Sequence, residues 1–171
     1  MPLEQLWAGW RSDYIVAATE AERSGSALEG SCVFCRLAGV ETPSADNGVV
    51  WRGRLTQVVL NLYPYASGHL LAMPLRHLSD LTELTAEESS ELWEATRAAT
   101  AAVTTAYAAD GINMGANLGR AAGAGIPAHL HLHVLPRWSG DTNFMTSVAG
   151  LRVIPEPLAV AWEKLTAAWP D

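Results

Sequence analysis

Three of the chain's five histidines stand at alternate positions in Ala128-His129-Leu130-His131-Leu132-His133-Val134-Leu135-Pro136. An imidazole near neutral pH serves as nucleophile, general base or metal ligand. The alternation predicts a strand between Pro127 and Pro136. On it His129, His131 and His133 share one face at spacings of about 6.5–7 Å. Leu130, Leu132 and Val134 take the other face and anchor it to a core. A single strand histidine is usually a satisfied core or rim residue, but three on one face point to function. That function is open between nucleophilic catalysis and chelation, because strand His-x-His pairs also bind zinc.

The second chemistry-bearing set is Cys32 and Cys35, the only cysteines, spaced Cys-x-x-Cys. A bridge between them would close a very small loop and constrain little. The spacing reads as a metal knuckle or a redox pair, with two reduced, semi-buried thiols as the competing reading. A zinc knuckle would need two further ligands from elsewhere.

The elements that must position these groups follow from pattern. Residues 3–20 suit an amphipathic helix through Leu3, Leu6, Trp7, Trp10, Tyr14 and Ile15, with a loop over 21–30. Val49–Arg52 and Gln57–Leu62 read as two strands joined by a hairpin at Gly53-Arg54-Leu55-Thr56. A third strand, Leu70–Pro74, stops at its proline. Thr85 with Glu88 forms a capping box opening a helix of about six turns to Ala108, closed by Asp110-Gly111. Ile112–Leu118 is a fourth strand. Gly119 to Pro127 is a glycine-rich connector into the histidine strand, so that these two strands form an antiparallel hairpin with a long loop. A C-terminal helix spans 157–169, with Pro157 at its start.

The chain has 171 residues, 49% hydrophobic and 17% charged, with a net charge of −7. This composition is globular and suits a single domain over 1–171, with a core of about 31–145 and a helical extension at each end. The acidic balance argues against a nucleic-acid surface, while a small phosphorylated ligand could still meet a local site. No apolar run approaches the roughly 20 residues of a membrane helix. Met1-Pro2-Leu3-Glu4 lacks the basic-then-apolar pattern of a signal peptide. A cytoplasmic location without membrane partners is the expectation.

His129-Leu130-His131-Leu132-His133-Val134-Leu135 resembles the signature of the histidine-triad family: His, apolar, His, apolar, His, apolar, apolar. Upstream, the run from Asn61 through Gly68-His69 to Pro74-Leu75-Arg76-His77 resembles that family's second signature, in which a Gly-His pair leads into a strand ending Pro-x-x-His. The tail Pro136-Arg137-Trp138-x-Gly140-Asp141-x-Asn143-Phe144 is most similar to the bacterial diadenosine tetraphosphate phosphorylase-like branch. The resemblance covers roughly residues 31–145. It implies an α+β fold, a five-stranded antiparallel sheet with a long helix, in which two copies join their sheets as a homodimer.

The chemistry implied is nucleotidyl transfer at the α-phosphate of dinucleoside polyphosphates or nucleoside 5′-phosphate derivatives. His131 is the implied nucleophile, a covalent nucleotidyl-histidine forms, and water or inorganic phosphate resolves it. The backbone carbonyl of His129 fixes the His131 tautomer, and His133 donates to a phosphate oxygen. Gly119, Gly123 and Gly125 allow close backbone approach to phosphate, with Asn117 a further contact and Asn61 at the ribose position. Trp138 is open between a ligand contact and packing. The family's hydrolases carry Gln or Ser just before the first histidine, where this chain has Gly125-Ile126-Pro127-Ala128. Backbone N–H groups of Gly125 or Ile126 are the available substitutes. Zinc-containing members imply Cys32, Cys35, His77 and His129 as a closed structural Cys2His2 set, with no organic cofactor; His69 is left as structural. Nucleoside phosphoramidase activity, a zinc hydrolase using the triad as ligands, and a non-catalytic nucleotide-binding protein are the alternatives.

Overall fold

The structure, a computed structural model, describes residues 32–141 and 156–170. The amphipathic stretch 3–20, the loop 21–30 and the end of the tail motif at Asn143 and Phe144 lie outside the described residues.

Five strands form one antiparallel sheet: β1 Val49–Arg52, β2 Thr56–Leu60, β3 Leu70–Pro74, β4 Gly111–Gly115 and β5 Leu132–Arg137, in the spatial order β1-β2-β3-β5-β4. A short helix α1, Val33–Ala38, precedes them. The long α2, Ala86–Tyr107, links β3 to β4, and α3, Leu158–Ala167, follows the sheet. β3 lies at the centre and is buried along its whole length, as its near-continuous apolar sequence requires.

The two sheet faces carry separate cores. On one, Val58, Leu60, Leu70, Ala72 and Val134 meet Leu92, Ala95, Ala99, Ala102 and Val103 of α2 and Ala161 and Leu165 of α3. The α2 alanines recur three and four apart, so one smooth stripe lets the helix approach the sheet closely. On the other face, Val49, Val59, Leu71 and Met73 pack with Phe34 of α1. His133 pairs across from Leu71, and directly opposed residues share a face. The third histidine therefore belongs to the α1 side of the sheet.

The capping box at Thr85 forms as expected: its hydroxyl accepts from the Glu88 N–H, and Glu88 accepts from the Thr85 N–H. The helix ends at Tyr107, with Ala108 in the left-handed region at φ 45°, before Asp110-Gly111 is reached. Gly111 opens β4 instead. That strand ends at Gly115 and not at Leu118, and β2 ends at Leu60 and not at Leu62. Pro157 stands as the cap just before α3.

The histidine stretch shows the most telling difference. The expected strand began at Ala128, but the ladder starts at Leu132. Its first residues use their polar groups elsewhere. The Leu130 N–H donates to the Leu78 carbonyl, and the His129 carbonyl accepts from the His131 ring. Only His133 of the three lies in the ladder; His129 and His131 form an ordered lead-in whose side chains need not obey strand alternation.

Candidate active site and metal centre

His129 is almost wholly buried, and its two ring nitrogens face different partners. Nε2 is 2.9 Å from the Pro74 carbonyl oxygen. A carbonyl only accepts, so Nε2 carries the hydrogen and donates. The Nδ1 lone pair is thereby turned towards Cys32 Sγ at 3.5 Å and Cys35 Sγ at 3.6 Å. His77 Nδ1 lies 3.1 Å from Cys35 Sγ. One donor atom from each of Cys32, Cys35, His77 and His129 falls within 4.8 Å of all the others.

The two separations of His129 from the sulfurs fit a shared zinc ion. Zn–S and Zn–N bonds of about 2.3 and 2.05 Å at a tetrahedral angle place sulfur and nitrogen about 3.6 Å apart. The Pro74 carbonyl is the kind of outer partner that fixes a ligating imidazole's tautomer. Local sequence explains the placement: Cys32 caps α1 and Cys35 sits in its first turn, while His77 follows the proline that ends β3. Of the triad, only His129 has its ring in this set.

His131 performs a different task one turn of chain later. Its Nδ1–H donates to the His129 carbonyl at 2.8 Å, so Nε2 holds the lone pair. Burial pushes its pKa below the ordinary histidine value, against the raising effect of that hydrogen bond, and burial acts likewise on His129. Both rings are neutral near pH 7. Phe34, between the two cysteines in sequence, packs against both, with ring centroids 5.5 Å from His129 and 5.1 Å from His131. The result is a neutral imidazole of fixed tautomer, which is what a histidine nucleophile requires.

His133 is set by His69, whose part the sequence reading missed. His69 is completely buried. Its Nδ1 accepts from the Tyr65 backbone N–H at 3.1 Å and from Asn61 Nδ2 at 3.2 Å; Asn61 Oδ1 accepts from the Tyr63 N–H, which fixes that amide's orientation. With Nδ1 accepting, Nε2–H of His69 donates to His133 Nδ1 at 2.9 Å. His133 in turn holds its hydrogen on Nε2. Tyr65 stacks on His133 at 5.8 Å and 18° between planes. The available signal in the sequence was Gly68-His69: a Cβ on Gly68, at φ +77°, would lie 2.4 Å from the Tyr107 ring.

The remaining expected site residues divide. Asn61 reaches the site through His69. Gly115 pairs with His133, and Asn117 follows two residues beyond the end of β4. Gly119 and Gly123 flank a short 3-10 turn, Arg120–Ala122, at φ 77° and 90°, conformations that favour glycine. Gly125 has no such φ, and the Ile126 side chain packs on the Phe34 core. Trp138 is not brought to the triad. It lies seven residues beyond His131, about 20 Å along an extended chain, and its indole N–H donates to the Tyr107 carbonyl at 3.1 Å.

The HIT domain family model matches residues 42–140. The "AP-4-A phosphorylase" of Mycobacterium tuberculosis strain H37Rv is 38% identical over 167 residues, covering 98% of this chain and 85% of that protein. Among solved structures, a zinc-bound histidine triad family protein from Mycobacterium smegmatis aligns with a TM-score of 0.66 and 28% identity, over 82% of this chain and 94% of that one. A Hit-like protein from Bartonella henselae aligns with a TM-score of 0.65 and 26% identity, over 83% and 99%. A fixed row of imidazoles at the head of β5, on a sheet shared with these proteins, identifies the chain as a member of the histidine-triad family, whose relatives include enzymes of dinucleoside polyphosphates.

Proposed function

We propose that the protein transfers a nucleotidyl group from a dinucleoside polyphosphate, of the diadenosine tetraphosphate type, through a covalent bond to His131. The observation that carries this reading is the hydrogen bond from His131 Nδ1 to the His129 carbonyl, which leaves Nε2 as a neutral nucleophile. Nε2 attacks the α-phosphorus and the bond to the bridging oxygen breaks. The Nε2–H of His133 serves the leaving oxygen as its charge develops. Inorganic phosphate or water then attacks the same phosphorus and frees His131. Asn61 supports the ribose side, and Asn117 with the backbone from Gly119 through Gly123, Gly125 and Ile126 cradles the phosphates.

Cys32, Cys35, His77 and His129 hold a structural zinc ion in this reading. Zinc there cross-links α1 to the residues that carry the nucleophile. The zinc-hydrolase alternative needs the triad rings as a ligand set. Of the three triad rings only His129 joins a metal-ready group among the described residues, and His131 and His133 are engaged otherwise. The phosphorylase assignment is favoured over water-driven hydrolysis or phosphoramidase action by likeness to the M. tuberculosis protein and by Gly125-Ile126-Pro127-Ala128, which offers no Gln or Ser side chain.

A homodimer is part of the proposal. β4 is an edge strand, and Met114 and Leu118 beside it expose apolar surface; a second β4 would continue the sheet. No helix of the described residues is long and apolar enough to cross a membrane. Product analysis tests the reaction: diadenosine tetraphosphate should give ADP and ATP only when phosphate is present. AMP and ATP without phosphate would make the enzyme a hydrolase, and no turnover under either condition would refute the substrate class.

A further inference from the structure

Cys32 and Cys35 are placed for a reaction with each other as well as for a metal. Cys32 has extended backbone angles as the cap of α1, and Cys35 lies in its first turn. The Arg36 N–H donates to the Cys32 carbonyl at 3.1 Å, which closes that turn. Helix geometry puts residues three apart at about 5 Å between Cα atoms, inside the roughly 4.4–6.8 Å that a disulfide spans. Both thiols belong to the compact four-residue group, and both cysteines are only half-buried.

His129 joins this pair to the nucleophile. Its ring faces both sulfurs, and its carbonyl holds the His131 ring. Phe34, between the two cysteines, packs on both imidazoles. A bridge between the sulfurs would therefore act on the contacts that hold His129.

We propose that Cys32 and Cys35 form an oxidation site at which a peroxide makes an intrachain disulfide, dismantling the four-donor cluster and loosening His131 through His129. One thiolate attacks the peroxide O–O bond, giving a sulfenic acid and hydroxide. The second thiolate attacks the sulfenic sulfur, forming the S–S bond and expelling a second hydroxide, and two solvent protons convert both to water. The peroxide gains the two electrons that the sulfurs lose. With both sulfurs in the bridge, only His77 and His129 would remain as donors to a metal held there. The inference rests on the zinc-ligand reading of these residues.

The test uses full-length reduced protein with its metal content measured first. It is exposed to hydrogen peroxide while zinc release is followed with a chromogenic chelator. The Cys32–Cys35 bridge is followed by peptide mass, and the His131 ring by its imidazole 15N–1H NMR pattern. Zinc release should track disulfide formation, with loss of the single-tautomer His131 pattern and at least a tenfold fall in turnover. Dithiothreitol with added zinc should reverse all three changes. Cys32→Ser should form no bridge and show no peroxide-dependent change at His131. Oxidation that bypasses the Cys32–Cys35 bridge, or a bridge that leaves the His131 pattern unchanged, overturns the proposal. If the reduced protein binds no zinc, the ligand assignment fails alone, and the bridge and the His131 spectrum still decide the redox step.

Discussion

At the head of β5 stand three imidazoles, His129 and His131 buried and His133 half-buried, each with one nitrogen committed to a named partner: a backbone carbonyl for His129 and His131, the His69 ring for His133. At its far end, Arg137 makes a two-point ion pair with Asp141, 2.7 Å at its longer contact, and donates to Asn113; Trp138 donates to the Tyr107 carbonyl. Both ends are rich in polar groups and both have well-made hydrogen bonds. They differ in what the bonds leave over. The far end consumes its donors in fastening α2, β4 and β5 together. The head uses one nitrogen of each ring to decide what the other nitrogen can do, and that is the condition for chemistry.

Substitutions should separate the two ends by orders of magnitude. His131→Ala should lower kcat/KM for diadenosine tetraphosphate by roughly 10⁴-fold or more while its far-UV spectrum stays native. A loss below tenfold would move the nucleophile elsewhere. His69→Ala should lower kcat by roughly 10²-fold with KM little changed, because His133 loses the donor that fixes its tautomer. An equal fall in a substrate whose leaving group needs no proton would assign His69 a merely structural role.

Cys32→Ser, or exhaustive chelation of the native protein, should lower both metal content and Tm. A chain of this length shifts about 2–4 °C per kcal/mol, and loss of a structural ligand should move Tm by roughly 5 °C or more. Unchanged metal content in the variant would refute the ligand set.

Glu88 provides a check on the support beneath His77. Its buried carboxylate accepts two hydrogen bonds from Arg76 and one from the Thr85 N–H, and these hold its pKa at about 2. The unfolded value is near 4.5, so this stabilisation is present above that pH and disappears as pH falls towards 2. Glu88→Gln should therefore be less stable than the native protein at pH 7, with the gap narrowing on acidification between about 4.5 and 2. A gap that stays constant in thermal melts across that range would contradict the assignment.

The smallest effect belongs to the far end. Trp138→Phe should cost about 0.5–1.5 kcal/mol through its lost hydrogen bond and leave kcat/KM within about twofold. A selective rise in KM would restore Trp138 to the ligand site.

Much of the arrangement was legible in the chain. β1 to β3 were legible as short apolar runs between turn signals, as strands buried on one or both faces must be, and only β5 was read from alternation. Thr85 and Glu88 announced the start of α2 because a capping box is a local pattern. Cys32, Cys35, His77 and His129 could be grouped only through family resemblance, since their convergence depends on the turn after Pro74 meeting α1. The lead-in at His129 was hidden, because period two says nothing about where ladder hydrogen bonds stop. His69 was hidden for a related reason: its task depends on the Tyr65 N–H and the His133 ring, which adjoin it only in the folded sheet. Trp138 stayed open between ligand contact and packing, because the Tyr107 carbonyl that takes its indole N–H adjoins it only in the folded sheet.

The reaction as proposed depends above all on His131 Nε2 taking up the nucleotide. Rapid quench of the enzyme with diadenosine tetraphosphate in the absence of phosphate, under alkaline conditions that preserve a phosphorus–nitrogen bond, followed by peptide mass analysis, tests it directly. The expected result is one nucleotidyl group on the peptide bearing His131, assigned to that residue by fragmentation, and its loss with release of ADP when phosphate is added before the quench. A nucleotidyl group on His133 or another residue, or turnover with no adduct at any time point, would contradict it.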